Sequence, residues 1–319
     1  MAALSISVVV PTHDRPASLR RLLASLDLQT LPPEAFEVVV VDDGAGAADR
    51  AIEPARHGYG VVCIRQPGKG ATLARNTGAR RSRAPVLVFV DDDVTLAPEA
   101  LEALHASCLR EASTIVLATL VVADGKSDPL GAYHAPTELN GAPPEDVDVT
   151  FAECKAGVLA IKRDDFFSLG MFQDPTGGWP NWDDVDFGYR ASRAGYRLRV
   201  SRRARAVHHD EAVTDFRAAC RRWYQAGRSA VRLFRTHAGI HAHMAMFADK
   251  LPVRWRHDSP GLVARKLLRR LASSRPALWN MERMAGLLER RQSQGGARLL
   301  HRWILGGYVY RGYRDGLRE

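Results

Sequence analysis

The apolar run Val86-Leu87-Val88-Phe89-Val90 passes directly into Asp91-Asp92-Asp93, and this junction constrains the chain more than any other feature. Five β-branched, aliphatic and aromatic residues behind Pro85 read as a strand buried on both faces. Carboxylates at the C-terminal end of such a strand stand where open α/β sheets bind ligands. Three adjacent acids repel one another, so a positive partner is expected. A hard divalent cation bridging to phosphate oxygens meets that need; a solvated acidic turn before the next helix is the plain alternative.

The surrounding pattern supplies the sheet. Alternation and β-branching predict strands over residues 5–10, 36–41, 61–64 and 114–122, and helical periodicity predicts helices over 18–28, 71–83 and 98–111. Strand–helix alternation at this spacing predicts an α/β fold, a mainly parallel sheet with helices on both faces. Residues 123–149 and 174–181 read as long loops rich in Gly, Pro and Asp, with regular structure resuming over 151–161. A helix over 183–194 and short strands over 197–200 and 205–207 follow. Beyond His209 the periodicity is helical, over 216–235, 262–271, 278–291 and 299–313. The expected division is a nucleotide-binding catalytic domain over 1–210 and a basic helical region over 211–319.

Charge sharpens that division. Residues 201–319 hold 25 Lys/Arg against 9 Asp/Glu, whereas the first 200 hold 20 against 27. An acidic body joined to a basic tail points to a tail that meets anions. With 46% apolar residues in 319 the chain can bury a large core, and no apolar run approaches a bilayer span. No signal-peptide pattern opens the chain, and Cys63, Cys108, Cys154 and Cys220 are scattered without a C-x-x-C pair. Both point to a cytoplasmic protein rather than a zinc or disulfide scaffold.

Polar or acidic residues close three of the first four predicted strands: Thr12 and Asp14, Asp42 and Asp43, and Asp91 to Asp93. At this point the sequence resembles the GT-A-fold inverting glycosyltransferases of family 2. The resemblance rests on Val9-Val10-Pro11-Thr12-His13-Asp14-Arg15-Pro16, Val40-Val41-Asp42-Asp43-Gly44, the stretch from Gly70 through Arg75-Asn76 to Ala79, and Phe89 to Asp93. It resumes at Gly157 to Arg163, Leu169 to Phe172, Trp182 to Arg190 and Ala194 to Leu198, covering residues 4 to about 210. Each piece alone is a weak pattern; their joint order is specific.

The resemblance implies an inverting, metal-dependent transfer of a sugar from a nucleoside-diphosphate sugar, UDP-sugar first, to an unidentified acceptor hydroxyl. Asp14 and Asp42 fall where the family meets the nucleotide base and ribose, with Pro11, Thr12 and Lys69 beside them. Carboxylates accept from a base N–H or a sugar hydroxyl, although Asp14 also suits a helix N-cap. Arg75 supports the donor pocket and offsets the acids. Asp91, Asp92 and Asp93 form the D-x-D motif for Mn2+ or Mg2+, with Asp93 the direct ligand and His208, or its neighbour His209, a second. Asp184 is the implied base and Asp183 the runner-up, in a pair that the family usually writes Glu-Asp; acids there also complement a helix dipole. Trp179 and Trp182 offer either acceptor-stacking faces or core material.

Two rival functions stand beside this one. A sugar-1-phosphate nucleotidyltransferase would need a Gly-rich, Arg-containing loop where this chain has Pro-Thr-His-Asp-Arg-Pro. A catalytically inactive sugar-nucleotide-binding partner protein would need only the donor site. Gly68-Lys69-Gly70 lacks the Gly-Lys-Ser/Thr ending of a P-loop. The basic helices suit packing on the body or an oligomer, with arginines as the solvated face. They also suit peripheral contact with the inner face of an anionic membrane. No nucleic-acid-binding motif accompanies the charge.

Overall fold

The computed structural model describes residues 3–52, 57–66, 68–122, 146–174, 182–209, 215–291 and 294–319. These fall into two compact units. The first holds the described residues up to 122, with 146–173 and 183–209; the second holds 174, 182 and those from 215 onward.

A nine-stranded mixed sheet organises the first unit. Strands β1 (Ile6–Thr12), β2 (Phe36–Asp42), β3 (Gly60–Arg65) and β4 (Val86–Val90) run parallel in the order β3-β2-β1-β4. Three short strands, β5 (Val94–Leu96), β7 (Val147–Val149) and β8 (Val158–Lys162), join β6 (Thr114–Val122) and β9 (Arg197–His208) to complete it. The sheet is parallel on the β3–β4 side and between β6 and β9, while β8 runs antiparallel to both β4 and β6. The two short strands expected over 197–207 are one strand, β9, with a register shift opposite Ala118 and Thr119. β7 lies inside the expected loop over 123–149, of which residues 123–145 lie outside the described residues.

Both faces of the sheet are covered, which is why β1, β2 and β4 are apolar almost throughout. Val8 and Val10 share one core with Val86, Val88 and Val90. Leu19, Leu22, Leu23 and Leu26 of α1 (Pro16–Leu26) and Leu101 and Leu104 of α3 (Ala100–Arg110) complete it. The intervening Val9, Leu87 and Phe89 face the other way. They join Phe172, Phe166 of α4 (Arg163–Ser168) and Phe187 of α5 (Asp183–Arg193). The alanine-rich α2 (Ala71–Arg81) approaches the sheet closely at Gly78, where a Cβ would run into the Val9 side chain. That close approach sets Arg75 near the strand ends.

The second unit is helical: α6 (Phe216–Thr236), α7 (Pro260–Ala272), α8 (Arg275–Arg290) and α9 (Gln294–Gly316). Asp215, Ser259 and Ser274 cap the first three by accepting from backbone N–H groups in the first turn. Helices α6 and α9 meet backbone to backbone, because a Cβ at Gly312 would overlap the Tyr224 carbonyl and one at Gly227 the Val309 carbonyl. The expectation of arginines as the solvated face holds on α7 for Arg265 and Arg270 but not for Arg269. Lys266 and Arg269 are buried and ion-paired, whereas Leu267, Leu268 and Leu271 are exposed. Among the described residues no helix is long and apolar enough to cross a membrane.

Candidate active site

The parallel register of β1 and β2 sets Pro11 opposite Val41 and Thr12 opposite Asp42, so the polar strand ends collect along one edge. There the acids hold loops. Asp42 is buried, and its two oxygens accept from the N–H groups of Gly44 (2.8 Å) and Ala48 (2.9 Å). Asp43 accepts from the backbone N–H groups of Lys69 and Gly70, both at 2.8 Å, tying the Lys69 loop to the end of β2. Asp14 adopts φ 53°, and its Oδ1 accepts from the N–H of Ala45 at 2.9 Å. It does not cap α1, whose N-cap is Arg15 without a side-chain bond. Asp14 keeps about half of its side chain exposed at the mouth of this edge.

The three aspartates after β4 diverge. Asp92 turns inward, accepting from Thr12 Oγ1 at 2.6 Å and from Arg15 at 3.2 Å. Burial pushes its carboxyl up to about 6, aided by Asp93 and Asp91 and tempered by Thr12 and Arg15. Asp93 lies 3.3 Å from His208 Nε2 on one oxygen and 3.3 Å from Arg15 on the other. Burial works against its charge, but His208 and Arg15 outweigh burial and hold its carboxyl below the usual range. His209 is directed elsewhere: its Nε2 lies 3.1 Å from Thr95 Oγ1. His208 is the histidine whose ring meets Asp93.

A carboxylate and an imidazole at this separation suit a divalent metal, since adjacent ligands in an octahedron with bonds of ~2.1 Å stand ~3 Å apart. Among the described residues no group of three His, Cys, Asp or Glu side chains is assembled for a metal. A two-residue donor set fits an ion that completes its shell with diphosphate oxygens and water.

Arg75 joins this edge to the acids of α5. Its buried guanidinium donates to Asp91 Oδ1 at 2.6 Å and to Asp183 Oδ2 at 3.0 Å. Burial opposes its charge, yet Asp91 and Asp183 outweigh that and hold it above its ordinary value. Thr72, one turn before Arg75, donates to the same Asp183 oxygen at 3.0 Å. Asp183 is therefore fixed by two donors. Asp184 is half-buried and accepts from the N–H of Val185 at 2.8 Å. Burial, then the Asp183 charge, pushes Asp184 up to about 7. A carboxylate poised there can take a proton near neutrality.

Sequence reasoning left Arg15, Asp43 and Thr72 without site roles. Arg15 shares the strand-end loop with Thr12 and Asp14, and Thr72 shares a helix face with Arg75 at a spacing of three, so both signals were present. Arg190 donates to Asp186, one turn earlier on α5, at 2.8 Å. Trp182 is core material: it is buried in the helical unit, donating to the Ala226 carbonyl at 2.9 Å and Ser229 Oγ at 3.1 Å. Trp179 lies outside the described residues.

Residues 7–156 match the family model described as glycosyl transferase family 2. The matched segment, residues 7–156, is a family 2 glycosyltransferase segment. Two validoxylamine A glucosyltransferases, from Streptomyces hygroscopicus subsp. limoneus and subsp. jinggangensis, are each 28% identical over 68% of this chain. The chain covers 56% and 60% of their lengths. A Pyrobaculum calidifontis mannosyltransferase solved with GDP-Man and Mn2+ superposes with a TM-score of 0.65 at 19% identity, covering 99% of this chain and 89% of that one. Staphylococcus aureus TarS 1-349 superposes with a TM-score of 0.53 at 20% identity, covering 98% and 92%. These likenesses show the fold: GT-A, followed by a helical C-terminal region.

Proposed function

We propose that this chain transfers a sugar, with inversion, from a nucleoside-diphosphate sugar to an acceptor hydroxyl. The observation that carries the reading is the Asp91–Arg75–Asp183 bridge, which joins the acidic end of β4 to the acidic first turn of α5. One side of the bridge offers charge for a diphosphate site; the other offers a base.

On the donor side, Asp42 and Asp43 shape the loops around the nucleoside, and the half-exposed Asp14 meets the base or ribose. Pro11, Thr12 and Lys69 line the same edge, and Asp91 and Asp92 complete the diphosphate end. Asp93 and His208 would hold Mn2+ or Mg2+, which would supply neutralisation of charge on the departing diphosphate. UDP-sugar is the first donor to test, and the solved mannosyltransferase makes GDP-sugars the second. On the acceptor side, Asp183 is committed to Arg75 and Thr72, which makes Asp184 the better base. Asp184 takes the acceptor proton as the oxygen bonds to the anomeric carbon and the bond to the diphosphate oxygen breaks. The four free cysteines fit a reducing cytoplasm.

Transfer assays with UDP-, GDP- and dTDP-sugars and a broad acceptor panel test this directly. Asp184→Asn should keep donor binding and lose roughly 10²–10⁴-fold in transfer rate. Retained transfer in that variant would sink the base assignment. Donor binding by wild type without turnover across the panel would instead favour a non-catalytic binder.

A further inference from the structure

We propose that α7 docks the helical unit onto an anionic phospholipid surface, through its outward leucines and the arginines around them. This inference stands independently of the sugar-transfer reading.

Helix α7 is folded inside out. Ala264, Leu267, Leu268 and Leu271 recur at the spacing of one helix face, and that face is open to solvent: Leu267 is 40%, Leu268 52% and Leu271 71% exposed. The opposite face carries Lys266 and Arg269, and these two are locked inward. Lys266 Nζ donates to Asp258 at 2.7 Å and to the Pro252 carbonyl at 3.0 Å. Arg269 donates to the buried Asp249 at 3.0 Å and to the Trp303 carbonyl at 2.9 Å. Turning the leucines inward would break both buried ion pairs, so their exposure is built into the fold.

Exposed cations lie on α7 and elsewhere in the helical unit. Arg265 and Arg270 are exposed on α7 itself. Two residues beyond Leu271 the turn into α8 opens on a cavity of about 550 Å3, where Arg275, Arg311, Arg314 and Arg318 stand against a single acid, Asp315. Trp279 is also exposed, with the Arg283 guanidinium 4.6 Å from its ring centre. Outward leucines flanked by exposed arginines, as Arg265 and Arg270 flank them here, are what an interfacial helix presents to a bilayer. Charge selects the occupant. A second copy would bring the same cationic face against this one, whereas an anionic headgroup layer neutralises the arginines while the acyl boundary takes the leucines.

Co-sedimentation with vesicles tests the inference, using phosphatidylcholine alone and phosphatidylcholine mixed with phosphatidylglycerol. The full chain should bind the mixed vesicles and release as salt rises. The triple variant Leu267→Ser, Leu268→Ser, Leu271→Ser should bind at least about tenfold more weakly with unchanged thermal unfolding. Arg275→Gln with Arg318→Gln should weaken binding and flatten its salt dependence. The proposal is overturned if wild type ignores anionic vesicles, or if the leucine variant binds like wild type. It is equally overturned if inorganic pyrophosphate binds the arginine cavity while vesicles do not, which would make this a soluble-anion site. Self-association of wild type that the leucine variant abolishes would assign the face to a second copy.

Discussion

Arg75→Met removes the cation between two carboxylates while keeping most of the side chain's length. Arg75 makes two charge-assisted bonds, to Asp91 and Asp183, and its side chain is 10% exposed. Breaking a buried pair by deleting one partner costs ~3–5 kcal/mol, because the remaining charge stays desolvated. Asp183 is 17% exposed and keeps Thr72, but Asp91 is 30% exposed and water recovers part of its loss. The lower end, about 3 kcal/mol, is expected. Tryptophan fluorescence would miss this transition, since the described residues of the first unit contain no tryptophan. Urea unfolding should be followed instead by hydrogen exchange in β4 peptides, with Asp183→Asn and the double variant closing a cycle. A loss below about 1 kcal/mol, with no coupling between Arg75 and Asp183, would refute the bridge as an energetic link.

Other perturbations read different parts of the account. Transfer should need ionised Asp184, so kcat/KM should fall on the acid side of about pH 7, and Asp183→Asn should move that limb to lower pH by removing the neighbouring charge. A limb that stays in place would separate the two acids. Gly312→Ala should destabilise the helical unit by about 2–3 kcal/mol, measured by tryptophan fluorescence in urea, because its Cβ would overlap the Tyr224 carbonyl. Asp249→Ala should cost ~3–5 kcal/mol by the same assay, leaving Lys250 and Arg269 buried without their counter-charge. Wild-type stability in either variant would mean that those contacts do not form in solution.

The strands and helices that frame the site were legible because their periodicities are unambiguous. Val86 to Val90 could only be a buried strand, and the acids after it had to stand at its carboxyl edge. Direction was not legible. Nothing in Val158–Lys162 says that β8 runs antiparallel between β4 and β6, since a buried strand looks alike either way. β5 and β7 are three residues each, too short for alternation to register. Within the site, the sequence brought Asp93 and the His208-His209 pair to attention and favoured His208 without excluding its neighbour. That distinction depends on which ring the end of β9 turns toward Asp93. Helix α7 marks the limit of periodicity. It shows two faces but not which is buried, because the deciding acids, Asp249 and Asp258, come from outside the helix.

The central claim is a metal-assisted nucleotide-sugar site at the carboxyl edge of β1, β2 and β4. Calorimetric titration of UDP, GDP and dTDP, with and without Mn2+, into wild type and Asp93→Ala tests it most directly. The account predicts selective binding of one nucleotide that requires Mn2+ and is lost in Asp93→Ala. Binding that ignores both Mn2+ and Asp93, or no binding of any of the three, would contradict it.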